Sequence, residues 1–380
     1  MKEGVYKVLH LVSSGGLYGA ERVILNLSKE LKGSPFVPIV GVIHKKGAPI
    51  PEILEAATAL GIDTLLVSLR SRFDPFGPWL LGRKLKEAGI HMVHSHGYKA
   101  TLLAFLPSRW MRIPLVVTCH LWFNKGNVKL RLYHEAEALV MKFLPAVVGV
   151  SEEICKEIKR KSIQPERVKL IHNGISLDHY QIPSKEVCTT LKEEFGIGDS
   201  DFVIGTAGRL NWQKAHHHLL EAVKRLRDGG VPVKCLIVGD GPLKKQLEEA
   251  RDRLGLGDKV FFIGYRNDIL DILDILDVFV LTSVDEGLPM VLLEAMALRK
   301  AIISTPVGAI ESIIRHGVNG LLFDVGDVQV LTEHISNLKD DEARRKNLGR
   351  EGQKTFNNEY KSSIMARKYI GLYRAILENK

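Results

Sequence analysis

Cysteine is scarce in this 380-residue chain, and its apolar runs are short. The four cysteines stand far apart, at Cys119, Cys155, Cys188 and Cys235. They show neither C-x-x-C spacing nor the density of a disulfide-stapled domain, so we expect free thiols in a reducing cytoplasm. The apolar stretch 139–150 is interrupted by a lysine and a proline and falls short of the ~20 residues that a spanning helix needs. The composition therefore predicts a cytoplasmic protein without a membrane-spanning segment.

Positive charge, by contrast, is plentiful and unevenly placed. Residues 1–180 hold 25 basic and 15 acidic residues, a net charge of +10, whereas the remainder holds 28 and 29, a net charge of −1. Cations also alternate with aromatic residues in this half, at 70–79, 109–112 and 122–125. Such a surface suits an anionic membrane, with a merely solvated basic surface as the alternative. No recognition-helix, RNP or zinc-finger pattern is present, so nucleic acid is not expected as a partner.

The strand-like runs follow a rhythm that predicts two parallel sheets. In the first half they alternate with helical patterns, and they lie at 7–12, 37–43, 92–94, 115–118 and 146–150. After a polar stretch around 184–200 the rhythm restarts, at 202–206, 235–238, 260–263, 278–281 and 301–304. This βαβ order is typical of α/β domains. We expect one domain at 1–180, a second at 181–361, and an amphipathic closing helix at 362–380 that packs back toward the first domain.

Glycines follow the first predicted strand, in the sequence Ser13-Ser-Gly-Gly-Leu-Tyr-Gly19. They would let a ligand approach the backbone just before a helix N-terminus. The dinucleotide pattern G-x-G-x-x-G fails because Ser14 stands at a glycine position, and residues 44–46 after the second strand are His-Lys-Lys instead of a ribose-binding acid. NAD binding is therefore disfavoured. NADP binding, and a glycine-rich turn without any ligand, remain as alternatives.

A cationic motif follows the first strand of the second half. In open parallel sheets, ligands bind beyond the C-terminal ends of the strands. The sequence Gly208-Arg-Leu-Asn-Trp-Gln-Lys214 stands there and precedes a helical pattern. Two cations, Arg209 and Lys214, beside a helix N-terminus suit a diphosphate.

An acidic motif, Glu286-Gly-Leu-Pro-Met-Val-Leu-Leu-Glu294, follows the predicted strand 278–281. Its second glutamate, Glu294, stands inside an otherwise apolar helix, where a carboxylate is costly unless it has hydrogen-bonding partners. Sugar or ribose hydroxyls are natural donors to it. Pairing with a core arginine is the alternative.

These motifs together resemble glycosyltransferase family 4. The resemblance rests on the two glutamates eight residues apart, on G-R-L-x-x-x-x-K, on Val238-Gly-Asp-Gly-Pro242 and on Asn173-Gly-Ile175, and it runs through nearly the whole chain. It implies the GT-B fold, in which two Rossmann-like domains face a central cleft. It also implies retaining transfer of a hexose-type sugar from a nucleotide-diphosphate sugar, UDP-sugar ahead of GDP-mannose. The implied acceptor is a hydroxyl of a lipid-linked, lipopolysaccharide or cell-surface glycan, and neither cofactor nor metal is implied.

The resemblance assigns roles to the second-half motifs by position. Arg209 and Lys214 would hold the donor diphosphate and stabilise the departing charge, and Glu294 would bind the nucleotide ribose. Glu286 would hold the donor sugar. The backbone beside it would help, at Gly287, Leu288 and Pro289.

Further roles fall outside those two motifs. Gly15 and Gly16 would lie against the donor phosphate from the first domain. His120, just after the strand 115–118, would orient the sugar at its reacting face. Tyr265 and Arg266 would border the base. The expected catalytic group is His120, Glu286, Arg209 and Lys214.

Some positions depart from the family pattern. Ala215 stands where glycine follows the lysine, Arg299 and Ala301 replace a glycine and a proline, and Ala309 replaces a glycine before Glu311. The departures put local geometry and the choice of donor sugar in question more than catalytic competence.

Three patterns mimic metal sites. Asp199-Ser-Asp201 has the D-x-D form, but it precedes the strand 202–206 and so falls at the edge opposite the expected ligand. Neither His94-x-His96 nor the run 216–218 brings a complete zinc-ligand set. We expect no metal, with His96 lining the acceptor side.

Three competing functions stay open at this stage. A nucleotide-sugar epimerase on the same fold would need no acceptor. A two-lobed sugar-binding protein would lack catalysis, and an NADP-linked oxidoreductase would bind a nicotinamide cofactor. The glycosyltransferase interpretation places the protein in the cytoplasm, peripheral to the inner face of the cytoplasmic membrane.

Overall fold

The computed structural model describes residues 4–13, 16–17, 19–71, 74–120, 128–177, 184–198 and 200–378, without the side chains of 128, 129 and 185. The chain forms two compact units. Unit 1 comprises Met1–Ser176 and Glu359–Lys380, and unit 2 comprises Leu177–Asn358. Unit 1 is therefore discontinuous, because the closing segment of the chain returns to it.

Unit 1 contains a parallel sheet of seven strands among its described residues. In chain order these are β1 (Tyr6–Val12), β2 (Phe36–Lys45), β3 (Asp63–Leu69), β4 (Met92–His96), β5 (Leu115–Cys119), β6 (Ala146–Gly149) and β7 (Val168–Leu170). Their order in the sheet is β3-β2-β1-β4-β5-β6-β7, so the direction of winding reverses between β1 and β4. The inner strands are buried on both faces, as their continuous apolar sequences require.

Helices connect these strands. They are α1 (Gly19–Leu31), α2 (Glu52–Ala59), α3 (Gly77–Ala88), α4 (Tyr98–Trp110), α5 (Val128–Met141) and α6 (Glu152–Arg160). A short 3-10 turn at Pro165–Arg167 leads into β7. Helix α6 begins at a side-chain cap: the hydroxyl of Ser151 accepts from the Ile154 amide at 3.2 Å, and two glutamates occupy the first turn.

Unit 2 contains a second parallel sheet, of six strands among its described residues. The strands are β8 (Val203–Ala207), β9 (Lys234–Val238), β10 (Val260–Gly264), β11 (Val278–Leu281), β12 (Ala301–Ser304) and β13 (Leu321–Leu322). They lie in the order β10-β9-β8-β11-β12-β13, with the reversal between β8 and β11. Both sheets are thus wound outward in both directions from a central pair of strands.

The helices of unit 2 are α7 (Lys185–Glu194), α8 (His216–Asp228), α9 (Lys244–Arg253), α10 (Ile269–Asp274), α11 (Met290–Ala297), α12 (Ile310–Ile313), α13 (Val328–Asp340) and α14 (Glu342–Thr355). A 3-10 turn at Trp212–Lys214 precedes α8. A π-helical turn at Phe356–Tyr360 follows α14 and leads the chain back into unit 1.

The last helix, α15 (Ser362–Leu377), is part of the core of unit 1. It packs on α1, and its Tyr369 and Tyr373 are almost fully buried. At its start, residue 175 bridges residue 361, and a Cβ on Gly174 would lie 2.7 Å from the Lys361 carbonyl oxygen. The glycine of the Asn-Gly-Ile motif therefore allows the returning segment to approach the backbone closely.

Within the described part of the chain, no helix has both the length and the apolar character needed to cross a bilayer. The expected α/β class with two parallel sheets is confirmed. Strands β3, β7 and β13 were not among the predicted runs.

Candidate active site

The charged motifs of unit 2 lie where its sheet changes winding direction. The loop that follows β8 carries Arg209 and Lys214, and the loop that follows β11 carries Glu286. Because β8 and β11 are adjacent parallel strands, both loops leave the same edge of the sheet side by side. In doubly wound sheets this switch point is where ligands bind.

Lys214 and Glu286 form the centre of this site. Lys214 Nζ donates to Glu286 Oε1 at 2.5 Å, and Ser283 Oγ donates to the same oxygen at 2.6 Å. The two charged side chains are only 16% and 10% exposed. Since buried charges are costly alone, the pair and the serine hold each other in a fixed geometry. The structure thus brings together two of the four expected catalytic residues.

Hydrogen bonds join the two loops along their length. Thr282 Oγ1 donates to the Lys214 carbonyl at 2.8 Å, and the Val284 amide donates to the Gln213 carbonyl at 2.7 Å. Gln213 Nε2 donates to Asp285 Oδ2 at 3.1 Å. The backbone of residues 213 and 214 is therefore fixed against the neighbouring loop, which favours a preorganised cationic site.

The Gly-Asp-Gly-Pro sequence after β9 supports the loop that follows β8. A Cβ on Gly239 would stand 2.0 Å from the Gly208 carbonyl oxygen, and one on Gly241 would stand 2.4 Å from that of Leu210. The Leu210 amide donates to the Asp240 carbonyl at 2.9 Å. Glycine is required at both positions because the backbones of the two loops are in contact. This packing accounts for the motif, and no ligand is needed to explain it.

A further glycine supports the acidic loop. Gly308 has φ +57°, and a Cβ there would stand 1.9 Å from the carbonyl oxygen of Glu286. The Ala309 amide donates to the Gly287 carbonyl at 3.1 Å. Leu288 is half-buried, and Pro289 is buried and immediately precedes α11. The segment expected to hold the donor sugar therefore has a fixed backbone.

The remaining cation and the second glutamate lie on the same elements. Arg209 is exposed, and its guanidinium has no hydrogen bond or ion pair with the part of the chain that the structure describes. Glu294 is half-buried on α11, between the buried residues Leu293 and Ala295. An exposed, uncommitted arginine beside a paired lysine can receive an anionic ligand.

Two departures from the family pattern occupy left-handed backbone. Ala215, directly after Lys214, has φ +45°, and Arg299, after α11, has φ +58°. Both stand where the family has glycine, so the backbone has kept a conformation that favours glycine. Ala309 differs, because its φ of −69° suits any residue.

The residues expected to border the base have unequal surroundings. Tyr265 is 68% exposed in the loop after β10. The guanidinium of Arg266 is committed to two carboxylates, those of Glu194 and Asp268, each at 2.7 Å. These ion pairs raise the pKa of Arg266. Arg266 thus ties α7 to this loop, a contact that its sequence position did not indicate.

In unit 1 the first glycine-rich turn is only partly described. Gly16 is buried after β1, whereas Gly15 lies outside the described residues. His120 directly follows β5 and is half-buried. Its Nε2 shares a hydrogen bond with Nδ1 of His96 at 3.0 Å. Both expected histidines, His120 for the sugar and His96 for the acceptor side, therefore belong to a larger group of rings.

That group, the histidine cluster, consists of His10 on β1, His94 and His96 on β4, and His120. His10 Nδ1 and His96 Nε2 share a hydrogen bond at 3.3 Å. His94 contacts the Tyr373 hydroxyl at 2.6 Å and the Thr118 hydroxyl at 2.7 Å. His10 has no motif around it, and only the pairing of β1 with β4 brings it to the other rings.

Burial sets the charge of this cluster. Desolvation lowers the pKa of His10 to about 3 and that of His120 to about 4. The pKa values of His94 and His96 are lowered by the same cause, and neighbouring histidines lower them further. The rings are therefore neutral at physiological pH and act as hydrogen-bonding groups, not as cations.

The metal-like patterns have ordinary surroundings. His10, His94 and His96 offer nitrogens within 4.8 Å of one another, but both nitrogens of His94 already bond to hydroxyls. Asp201 accepts from the Gly198 amide ahead of β8, and Asp199 lies outside the described residues. His216 is buried at the start of α8.

A groove of about 760 Å³ lies elsewhere on unit 1. It borders Leu115 and Ala146, the first residues of β5 and β6, so it is at the sheet edge opposite the ends that lead to His120. Three cations line it, Arg109, Arg112 and Lys169, together with apolar side chains such as Phe143. The groove therefore lies away from the C-terminal strand ends that lead to His120.

The architecture is that of known sugar-transferring enzymes. The structure is similar to that of HepE from Anabaena in complex with UDP, with a TM-score of 0.85, 22% identity, and coverage of 97% of this chain and 100% of that chain. Two parallel-sheet units of this kind define the GT-B fold of glycosyltransferases.

Sequence comparison gives the family. Residues 18–179 match the model for Glycosyltransferase Family 4, and residues 188–355 match that for Glycosyl transferases group 1. The chain is 28% identical over 291 residues to the capsular polysaccharide biosynthesis glycosyltransferase CapM of Staphylococcus aureus, covering 74% of this chain and 75% of that one. It is 27% identical over 347 residues to the Escherichia coli UDP-Gal:alpha-D-GlcNAc-diphosphoundecaprenol alpha-1,3-galactosyltransferase, covering 88% of each. The chain belongs to glycosyltransferase family 4.

Proposed function

We propose that this glycosyltransferase moves a hexose from a UDP-sugar to a hydroxyl of a lipid-linked or cell-surface glycan, with retention of anomeric configuration and without a metal. The observation that carries the proposal is the convergence of Lys214, Glu286 and the exposed Arg209 at the switch point of unit 2. Two cations there suit a diphosphate, and a fixed carboxylate suits sugar hydroxyls.

The proposed reaction has few chemical requirements. The bond between the anomeric carbon and the β-phosphate oxygen breaks, and a bond to the acceptor oxygen forms on the same face of the sugar. The acceptor proton passes to the departing phosphate, so the products are the glycoside and UDP. Arg209 and Lys214 stabilise the negative charge that develops on the diphosphate, a role that a divalent cation fills in other enzymes.

Other residues are proposed to bind and orient the substrates. Glu294 accepts hydrogen bonds from the ribose, and Glu286 with the backbone of 287–289 holds the sugar. In unit 1, Gly16 contacts the phosphate and His120 orients the sugar at its reacting carbon. Tyr265, which is 68% exposed, stacks on the base, while Arg266 supports its loop through its ion pairs.

The choice of substrates rests on relatives. HepE binds UDP, and the Escherichia coli relative is named for UDP-Gal and a diphosphoundecaprenol-linked acceptor. We therefore place UDP-sugars ahead of GDP-mannose as donors, and a lipid-linked sugar ahead of a soluble one as acceptor.

A donor screen with the purified full chain tests the proposal. UDP-glucose, UDP-galactose, UDP-N-acetylglucosamine and GDP-mannose are each incubated with a lipid-linked sugar acceptor in excess EDTA. We expect UDP release, and an axial anomeric linkage by proton NMR, with one UDP-sugar. An inverted linkage would overturn retention, and activity restored only by manganese would overturn metal independence. Conversion of a donor without acceptor would indicate the epimerase instead.

A lipid-linked acceptor also requires access to the membrane, and unit 1 has a surface that suits it. Three of its aromatic side chains are more than 60% exposed, namely Phe76, Trp79 and Trp110 on or beside α3 and α4. Cations surround them in sequence, including Arg83 and Arg109. Each basic residue near an anionic bilayer contributes about 1 kcal/mol, so a few of them retain a protein at the surface.

Vesicle flotation measures this association. We expect the full chain to float with phosphatidylglycerol vesicles at low salt and to be released by high salt, because salt screens exposed charges. Replacing Trp79 and Trp110 by serine should weaken flotation. Trp212, in unit 2, is equally exposed at 64% and supplies the control substitution. Equal, negligible binding to neutral and anionic vesicles at low salt would remove the membrane from the proposal.

A further inference from the structure

Three histidine rings of unit 1 form a continuous chain. His10 Nδ1 contacts His96 Nε2 at 3.3 Å, and His96 Nδ1 contacts His120 Nε2 at 3.0 Å. The rings of each neighbouring pair are nearly parallel, with interplanar angles of 26° and 27°. His94 stands beside this imidazole chain but is bonded to Tyr373 and Thr118 instead.

The chain can carry its protons in only two ways. A neutral imidazole has one N–H and one lone pair, and a hydrogen bond between two rings uses one of each. If His10 donates from Nδ1, then His96 must donate from Nδ1, and His120 must carry its proton on Nδ1. If every bond is reversed, His120 has a bare Nδ1 and His10 has an N–H at Nε2.

The buried end decides between these two arrangements. His10 is completely enclosed, and its Nε2 has no partner among the described residues. The first arrangement leaves a lone pair there, whereas the second leaves an N–H. Unpaired buried N–H groups are rare in proteins, so an N–H at this fully enclosed end is costly and disfavours the second arrangement.

The opposite end of the chain lies after the C-terminal end of β5, at the edge of the sheet where ligands bind. His120 is half-buried there, and its Nδ1 is itself shielded from solvent and has no partner in the part of the chain that the structure describes, like Nε2 of His10. Each arrangement therefore leaves one buried N–H, and only at the His120 end can a substrate oxygen pair with it. An N–H at this position is a donor, and it suits an oxygen of the sugar or of the acceptor.

We propose that His10 and His96 are positioning residues, which fix the proton of His120 on Nδ1 so that this ring donates a hydrogen bond to a substrate oxygen. The proposal rests on the proposed function for the identity of the substrate. The two possible directions of the imidazole chain follow from the protein contacts, and the choice between them follows from the end at which a ligand oxygen can pair with the remaining N–H.

NMR of the ¹⁵N-histidine-labelled full chain tests the direction at pH 7, in the presence of each UDP-sugar in turn. We expect His120 to show a protonated Nδ1. His10→Asn keeps a donor near the position of Nδ1, whereas His10→Leu has the same size and no donor. His120 should retain its tautomer in His10→Asn and lose its bias in His10→Leu. A proton on Nε2 of wild-type His120 would overturn the proposal.

Kinetics then tests the consequence for catalysis. We expect His10→Leu to lower kcat about tenfold with little change in the KM for the donor, the effect of one misdirected hydrogen bond, and His10→Asn to restore most of it. In a His120→Ala background the two variants should not differ, since the group they act through is gone. An equal tenfold loss in that background would assign His10 a structural role only.

Two controls distinguish the positioning role from a general disturbance of the buried region and from failure of the proposed function. Tyr369→Phe removes the bond to Thr118 in the same buried region and leaves the imidazole chain intact, so it should not shift the tautomer of His120. If no donor gives transfer but the tautomer responds as expected, the proposed function fails and the positioning role stands. If transfer occurs and the tautomer does not respond, the positioning role fails alone.

Discussion

Neutral imidazoles and hydroxyls lie together near the strand ends of unit 1, whereas a lysine pairs with a glutamate at those of unit 2, with an exposed arginine in the same loop as the lysine. The winding is the same in both, with a reversal at the central strand pair. The net charges run the other way, since unit 1 holds 30 basic and 16 acidic residues, a net charge of +14, and unit 2 holds 23 and 28, a net charge of −5. Under the proposed function, the donor diphosphate binds to local charges at the switch point of unit 2, and net charge does not locate its site. The excess positive charge of unit 1 is then left for the proposed membrane contact.

Among the substitutions that test this comparison, Lys214→Ala should have the largest effect on activity. Loss of a preorganised cation facing the departing diphosphate should lower kcat by roughly 10²- to 10³-fold. Lys300 supplies a matched control, because its ion pair with Asp274 is similarly buried, at 14% and 23% exposure. Lys300→Ala should cost stability but little activity. Steady-state kinetics and urea unfolding of both variants decide, and equal activities would refute the role of Lys214.

Glu294→Ala should have the next largest effect. The ribose would lose a charged acceptor, an interaction of about 1.5 to 3 kcal/mol, and donor affinity should fall accordingly. Titration calorimetry with UDP measures it directly. Glu311→Ala, at an exposed position of α12, is the control. A folded Glu294→Ala variant with wild-type UDP affinity would contradict the ribose assignment.

The neutral histidines should make unit 1 sensitive to acid. Burial lowers the pKa of His10 to about 3 and that of His120 to about 4. Below the unfolded value of about 6.5 the unfolded chain binds more protons than the folded one, so stability falls as pH falls from 6.5 toward 4. Between pH 7 and pH 5 we expect a loss of about 2 kcal/mol for each such histidine.

Urea unfolding at the two pH values measures that loss. His10→Asn should reduce the difference between pH 7 and pH 5, because it removes one buried titrating ring. Tyr369→Phe, in the same buried region, removes no imidazole and should leave the difference unchanged. A pH dependence unaffected by His10→Asn would show that His10 does not contribute.

The smallest effect concerns the two alanines that replace family glycines. Ala215→Gly should raise the free energy of unfolding by up to about 1 kcal/mol, because φ is +45° there. Ala309→Gly should lower it by about 0.5 to 1 kcal/mol, since φ is −69° and glycine only adds freedom to the unfolded chain. Thermal unfolding of the two variants shows whether the free energy of unfolding rises in one and falls in the other. Changes of the same sign would contradict the explanation from φ.

Sequence alone located the strands that are buried on both faces. The runs 278–281 and 301–304 coincide with β11 and β12, since continuous apolar residues between helical patterns leave little ambiguity. The strands it missed lie near sheet edges. Strand β3 begins with two exposed residues, and β7 and β13 have only three and two residues. Such segments are defined by the neighbour they pair with, which no local pattern contains.

The residues of the candidate site also divide into those that local sequence predicts and those that depend on tertiary contacts. The motifs around Lys214 and Glu286 follow neighbouring strands, so their proximity was predictable from parallel winding. His10 was not predictable, because it lies inside β1 and meets His96 only through strand pairing across 86 positions. The commitment of Arg266 to Glu194 and Asp268 likewise depends on where α7 packs.

The return of residues 359–380 to unit 1 affects how the protein is made. During synthesis, all of unit 2 leaves the ribosome before α15 does. Until then the tyrosines that bond to His94 and Thr118 are missing, and unit 1 has an open face. Unit 2 can thus fold first, whereas unit 1 cannot complete its core until α15 has been synthesised. A premature stop late in the message would therefore damage the half of the protein that was translated first.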